Sequence, residues 1–353
     1  MKKVAVLYIA TGKYVRLWPG FLESAEKYLL KSCEVEYFVF TDVDHLAEEE
    51  DNPRIHRIFQ EPMPWPYTTL LRFEIFLKAE EQLKAFDYIY FFNANCEFKQ
   101  PITEEMLLPR PKKHEHMVFV LHPAFYWRYN YEFTYDRNPR CKAYIPMGLG
   151  RDYVCGGING GDRDAYLKFC HTLQKRIRQD KDRGIIALWH DESHINWYAF
   201  THPHYRLLDA SFCFFPGWDT VKPCYIYIRP KEEYFDVDAF KRDPPKTQLS
   251  PKVEKYNEFM LKAARKIQRH MPWLPKKARV TKQPPHVLHR AAVALLKITG
   301  NQSAASAGRS GSNRLNCRPE TRNTPARRSS RRCRRSISAR AKRSLRRASA
   351  RRR

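Results

Sequence analysis

Between residues 4 and 92, short apolar runs of strand type alternate with segments of helical spacing, and that alternation leaves few architectures open. Val4-Ala5-Val6-Leu7-Tyr8-Ile9-Ala10 is a continuous apolar run. It is too short to span a membrane and has no small-residue cleavage site, so it reads as a buried first strand. Trp18 to Leu30 is spaced as a helix, Glu34 to Phe40 reads as a second strand, and Ile55-His56-Arg57-Ile58 as a short third. Thr68 to Phe86 is predicted as one long helix, with Leu71, Ile75, Ala79 and Leu83 spaced by four on one face. Tyr88 to Phe92 and Met117 to Leu121 are then buried strands. Strand and helix in turn imply an α/β protein with a mainly parallel sheet and helices on both faces, because parallel neighbours need crossover connections. In such sheets ligands bind beyond the carboxyl ends of the strands.

Several polar segments are delivered to that edge. Ala10 to Tyr14 follows the first strand, Asn93-Ala94-Asn95 the strand ending at Phe92, and His122-Pro123 the one ending at Leu121. Arg72 could meet a phosphate or base from the side. Each also has a plain reading as a glycine turn, an Asn-rich strand exit or a surface charge. The two glycine pairs of Gly156-Gly157-Ile158-Asn159-Gly160-Gly161 let backbone lie close to a ligand, but without the Lys of a phosphate loop or the G-x-G-x-x-G order. Arg229 and Lys231 follow a late strand, Tyr225 to Ile228, where they could cover a diphosphate or remain solvated.

The densest chemistry lies in Trp189-His190-Asp191-Glu192-Ser193-His194, where every side chain can bond or stack on a polar ligand. It opens a helix-spaced stretch, and Asp191 is placed to cap that helix. Three readings fit. His190 and His194 at i, i+4 resemble half of a zinc motif, although Asp191 stands where H-E-x-x-H has Glu and no third ligand follows at a familiar spacing. A solvated helix start with a cap and two surface histidines is the bland reading. The third is a sugar site, in which a carboxylate beside a stacking aromatic meets the positive charge of an oxocarbenium-like transition state.

The motifs in order, Ala10-Thr11-Gly12-Lys13-Tyr14, Asn93-Ala94-Asn95, Leu121-His122-Pro123, Phe133-Thr134-Tyr135, Lys142-Ala143-Tyr144-Ile145-Pro146, Gly156 to Gly161 and Trp189 to His194, resemble glycosyltransferase family six over about residues 3 to 235. That family includes the histo-blood group A and B transferases and α-1,3-galactosyltransferase. The resemblance implies a Rossmann-like GT-A fold and a retaining transferase. It would move N-acetylgalactosamine or galactose from a UDP-sugar to the 3-hydroxyl of a galactoside, plain or fucosylated. It places Ile9, Ala10, Thr11 and Tyr14 at the uridine, Arg72, Asn93, Asn95, Cys155, Gly156, Gly157, Asp191 and Lys231 at the rest of the donor, and His122, Thr134 and Trp189 at the acceptor. Glu192 falls on the catalytic carboxylate, as covalent nucleophile or as electrostatic stabiliser of a same-face displacement. In the family the residues aligned with Cys155-Gly156-Gly157 sort the two sugars by room for an acetamido group, and two glycines favour N-acetylgalactosamine.

One departure matters. Asn93-Ala94-Asn95 stands where vertebrate members carry Asp-x-Asp and bind manganese. Neutral amides lack the charge that holds a hard divalent ion, so no metal cofactor is expected, manganese being the alternative. The same pattern occurs in bacterial members, which points to a bacterial source.

Composition bears on the rest. The chain has 353 residues, 43% of them hydrophobic, which suffices for a large core. Nine cysteines without a C-x-x-C pair suit reduced thiols and a cytoplasmic setting. The formal net charge is +26, and residues 301–353 hold 17 Arg, one Lys, one Glu and no aromatic residue. We therefore divide the chain into a catalytic domain (1–240), a basic helical extension (241–300) able to lie peripherally on an anionic inner membrane face, and a disordered tail (301–353). The extension could instead pack on the body. The tail is equally compatible with phosphate binding or an altered reading frame; no specific nucleic acid is expected. The rivals to an active transferase are a sugar-binding protein that has lost catalysis and a nucleic-acid binder acting through this tail.

Overall fold

The computed structural model describes residues 1–46, 48–126, 128–217, 223–239 and 249–270. Of the two units into which the chain divides, Met1–Lys297 and Ile298–Arg353, the second lies outside them. The strands are β1 (Lys3–Ile9), β2 (Glu34–Thr41), β3 (Ile55–Phe59), β4 (Tyr88–Phe92), β5 (Cys96–Phe98), β6 (Met117–Leu121), β7 (Val154–Asp162), β8 (Tyr205–Leu208) and β9 (Ile226–Ile228). Among the described residues, one sheet runs β3-β2-β1-β4-β7-β6-β8, and β5 pairs antiparallel with β9 beside it. Neighbours in the large sheet are parallel, except that β7 runs against both β4 and β6. The mainly parallel α/β sheet expected from the sequence is present.

Burial explains why the strands read as continuous apolar runs. Val4 to Tyr8 of β1 are wholly buried because both faces of the sheet are covered. Val4, Val6 and Tyr8 pack toward helix α1 (Trp18–Tyr28), while Ala5 and Leu7 pack on the other face with Phe73, Phe76 and Phe91. The remaining helices are α2 (Tyr67–Leu70), α3 (Arg72–Phe76), α4 (Glu80–Leu83), α5 (Glu104–Leu107), α6 (Arg163–Lys181), α7 (His190–Thr201) and α8 (Pro251–His270).

Two local expectations need correction. Residues 68–86 are not one helix: Leu71 and Ala79 leave helical geometry, with φ/ψ of −97°/14° and −98°/9°, and a 3-10 turn (Leu77–Ala79) separates α3 from α4. No Gly or Pro marks these breaks, so packing makes them; Ile75, Ala79 and Leu83 still face the core as spaced. The glycine-rich stretch, read only as backbone able to lie close to a ligand, is the reversed strand β7 between β4 and β6. Glycine is depleted in strands, which hid it. Its glycines admit large neighbours: a Cβ at Gly160 would lie 2.2 Å from the Tyr90 ring.

In α8, Tyr256 and Phe259 are 49% and 66% exposed, and Asn257 Nδ2 donates to Arg137 O at 3.4 Å. No helix among the described residues is long and apolar enough to cross a membrane. The rest of the predicted extension, 241–248 and 271–300, and the tail lie outside the described residues.

Candidate active site

β1, β4 and β6 end, and β7 begins, at one edge of the sheet, and α7 starts there. Asn196 ties the two last elements together. Val154 N–H donates to its Oδ1 at 2.9 Å, and its Nδ2 donates to Val154 O and Glu192 O, each at 2.9 Å. His190 enters α7 with φ +51°, a left-handed conformation uncommon for residues other than glycine, and its N–H donates to Ala187 O. That turn carries Asp191 and Glu192 into the edge. Asp191 is therefore not the cap expected: Trp189 holds that position, and Asp191 sits in the first turn, 2% exposed. The two histidines are not a surface pair either. His194 is wholly buried, while His190 lies edge-on to Trp65 at 5.2 Å.

The acidic pair is differently held. Asp191 Oδ2 lies 3.1 Å from Arg72 Nε, an ion pair more than a directed hydrogen bond, since that Nε–H is turned to Thr69 O at 3.3 Å. Arg72 is itself buried, donates to Gly156 O at 2.8 Å and stacks 4.5 Å over the Phe91 ring. It is not surface charge. Burial raises the Asp191 carboxyl to about 7; Arg72 opposes that rise and Glu192 adds to it. The Glu192 carboxyl is raised by burial too, but Gly156 N–H donates to its Oε2 at 2.8 Å and Tyr153 OH to its Oε1 at 2.9 Å, and both favour the anion.

The donor-side residues surround a cleft of about 400 Å³ lined by Ile9, Thr11, Tyr14, Arg72, Asn93 and Lys231. Lys231 Nζ stands 5.2 Å over the Tyr14 ring, and burial pushes the Tyr14 hydroxyl up to about 12, so it stays a donor. Ala10 is buried beneath, its N–H on Phe40 O and its carbonyl accepting from Thr41 Oγ1. Gly156 and Gly157 come to the cleft from β7: a Cβ on the first would meet Glu192 Cβ at 3.0 Å and Asp191 Oδ2 at 3.3 Å, and one on the second Asn93 Cβ at 3.4 Å. Cys155 points the other way, into the core. Arg229 is also committed elsewhere, donating to Leu17 O at 2.9 Å and Ala94 O at 3.3 Å. A larger hollow of about 840 Å³ opens at the amino ends of β4 and β6, lined by Asp87, His116 and Asp162, and gathers none of these groups.

On the acceptor side, Thr134 Oγ1 donates to Tyr153 OH at 3.2 Å, which connects Thr134 through Tyr153 to Glu192. The His122 ring packs edge-on to Tyr153 at 5.7 Å, and burial lowers its pKa to about 4. Trp189 is 41% exposed beside Glu192. Tyr153 and Asn196 are the residues that sequence reading passes over: both look like ordinary core or helix residues, and only contacts across 39 and 42 positions reveal them.

Asn93 and Asn95 offer a hard divalent ion such as manganese no negative charge. Asn93 Nδ2 donates to Asn95 Oδ1 at 2.8 Å, and Asn95 Nδ2 donates to Arg229 O at 2.7 Å. Both amide nitrogens are thus engaged within the protein, and the nearby carboxylates are held by Arg72, Gly156 and Tyr153.

Known proteins resemble this chain over most of the described residues. The model of glycosyltransferase family 6 matches residues 2–229. Globoside alpha-1,3-N-acetylgalactosaminyltransferase 1 of Gallus gallus is 29% identical over 226 residues, 62% of this chain and 63% of that protein. O-antigen biosynthesis glycosyltransferase WbnI of Escherichia coli is 27% identical over 229 residues, 65% of this chain and 95% of that protein. Histo-blood group ABO system transferase 1 of Rattus norvegicus is 28% identical over 234 residues, 64% and 65%. The chain thus spans less than two thirds of the two vertebrate proteins and nearly all of the bacterial one.

Proposed function

This chain belongs to glycosyltransferase family 6, and from that membership we propose that it is a retaining hexosyltransferase of the GT-A fold. In this reading it moves N-acetylgalactosamine, or galactose, from a UDP-sugar to the 3-hydroxyl of a galactoside, forming an α-1,3 linkage without a metal ion. The observation that carries the reading is Glu192, fixed by Gly156 N–H and Tyr153 OH, with Gly156 O in turn bonded to Arg72 of the cleft that Tyr14 and Lys231 also line. A carboxylate so held needs no reorganisation to face the positive charge that develops at the anomeric carbon. Asp191, paired with Arg72, orients the donor sugar, and Lys231 offsets the charge of the leaving diphosphate. Arg229 takes no part, because its guanidinium is bonded to backbone carbonyls. In this reading the acetamido group of the favoured donor passes the backbone of Gly156 and Gly157, whose missing side chains also let Glu192, Asp191 and Asn93 close in on β7. Trp189 offers the acceptor an aromatic face, and His122 and Thr134, both against Tyr153, complete the acceptor side in this reading.

The exposed Tyr256 and Phe259 of α8, among Lys252, Lys255, Lys262 and Arg265, suit peripheral contact with an anionic membrane from the cytoplasm, which would bring a lipid-linked galactoside within reach.

The test is sugar transfer from UDP-N-acetylgalactosamine and UDP-galactose to fucosylated and plain lactose, in EDTA and then with manganese, for the native chain and Glu192→Gln. Turnover in EDTA that falls by about 10²-fold or more in the variant is expected. Activity that appears only with manganese would overturn the metal-free step. Binding of UDP-sugar with no product under any condition would make the chain a binding protein.

A further inference from the structure

Two residues beyond Glu192 on α7, His194 meets groups from two other parts of the chain. Cys141 comes from the segment before β7 and Asp180 from the end of α6. Cys141, Asp180 and His194 are 4%, 1% and 0% exposed, and their donor atoms lie within 4.8 Å of one another. Cys141 Sγ donates to Asp180 Oδ2 at 3.3 Å, and His194 Nε2 lies 3.6 Å from the same oxygen. Among the described residues neither ring nitrogen of His194 has a hydrogen-bond partner. Buried polar groups are rarely left so.

We propose that Cys141, Asp180 and His194 bind zinc, as a structural site separate from sugar transfer. Thiolate, imidazole and carboxylate are the ligand types zinc takes. Bonds of about 2.0–2.3 Å in a tetrahedral site set ligands roughly 3.3–3.8 Å apart, close to the two spacings to Asp180 Oδ2; the Cys141–His194 pair, within 4.8 Å, closes on the ion, and water takes the fourth position. The ion displaces the Cys141 proton to solvent, and the thiolate and carboxylate then balance its charge. Two backbone groups hold the ligands: Lys142 N–H donates to Asp180 Oδ2 at 2.7 Å, and Ala143 N–H to Cys141 Sγ at 3.3 Å. Arg183 pairs with the other Asp180 oxygen. Arg176, stacked on Trp197 at 3.2 Å and bonded to Lys142 O, is the cation that works against the site. Asp136, buried nearby with both oxygens on backbone N–H groups of Asn138 and Leu188, adds negative charge in compensation. Such a site would clasp the 136–146 segment and the end of α6 to α7, the helix that carries Asp191 and Glu192. The i, i+4 pair of His190 and His194 is not the site, since the two rings serve different surroundings.

The experiment uses the full chain, purified with reductant and without chelator. Elemental analysis should find about one zinc per chain. Refolding with cobalt(II) should give thiolate-to-cobalt absorption, and equimolar zinc should raise the unfolding midpoint. Cys141→Ser should lose all three responses; because other cysteines are present, that loss locates the ion. Should the variant fail to fold, the native chain decides by zinc content and cobalt absorption at one equivalent. Metal-free native protein with no cobalt–thiolate absorption and an unmoved midpoint would overturn the proposal and leave a hydrogen-bonded trio. Zinc retained in folded Cys141→Ser would overturn it as well.

Discussion

Glu192 owes its charge state to two donors, and each can be removed without touching the carboxylate. Tyr153→Phe deletes the hydroxyl on Oε1. Its bond favours the anion, so its loss should raise the Glu192 pKa and move the acid limb of the kcat/KM profile to higher pH. With one charge-assisted bond gone, kcat should fall about 10- to 100-fold while the fold persists. Unchanged limbs would reduce Tyr153 to packing. Asp191 makes the opposite kind of prediction. Its carboxyl stands at about 7 in the folded chain against an ordinary 3.8, so between those pH values the native state holds a proton that the unfolded state has released. Stability therefore falls as pH rises through that window. Asp191→Asn should flatten the slope by up to about 1.4 kcal/mol per pH unit, read from urea midpoints, even though Arg72 loses its partner. A slope identical in both proteins would show that Asp191 titrates normally.

At the scale of elements, the start of α7 is held to β7 by one side chain. Asn196→Ala strands the N–H and carbonyl of Val154 in the interior, and it should lower stability by about 2–5 kcal/mol in urea unfolding and reduce turnover, because Glu192 rides on the same turn. A variant as stable as the native chain would mean that water replaces those bonds. Nothing in a single sequence separates Asn196 from an Asn facing solvent, since the contact spans 42 positions. The breaks at Leu71 and Ala79 were equally hidden, because no helix-breaking residue marks them. By contrast, the start of α6 carries a local mark: Asp162 caps it, accepting from Ala165 N–H at 3.0 Å, as its residue type favours.

For the molecule as a whole, charge is concentrated where the sheet is not. Residues 301–353 supply most of the net charge of +26, while the residues that meet in the cleft all precede position 232. Deleting 301–353 should leave kcat and KM for transfer unchanged and weaken binding to polyanions. Vesicle binding that survives deletion should fall when Tyr256 and Phe259 become Ser; loss of turnover on deletion would give the tail a part in catalysis. The sequence by itself determined the strand runs, their order and the polar segments that follow them, because burial periodicity and chain adjacency are local properties. It also brought Ala10 to Tyr14, Asn93 and His122 to one edge, since parallel strands present their carboxyl ends together; that α7 starts at the same edge came from the fold. Only the tertiary structure decided the reversal of β7, the pairing of Arg72 with Asp191, the hold of Tyr153 on Glu192 and the turning of His194 toward Cys141 and Asp180. Those depend on which distant segments pack face to face, a matter of shape and desolvation that no short window of residues records.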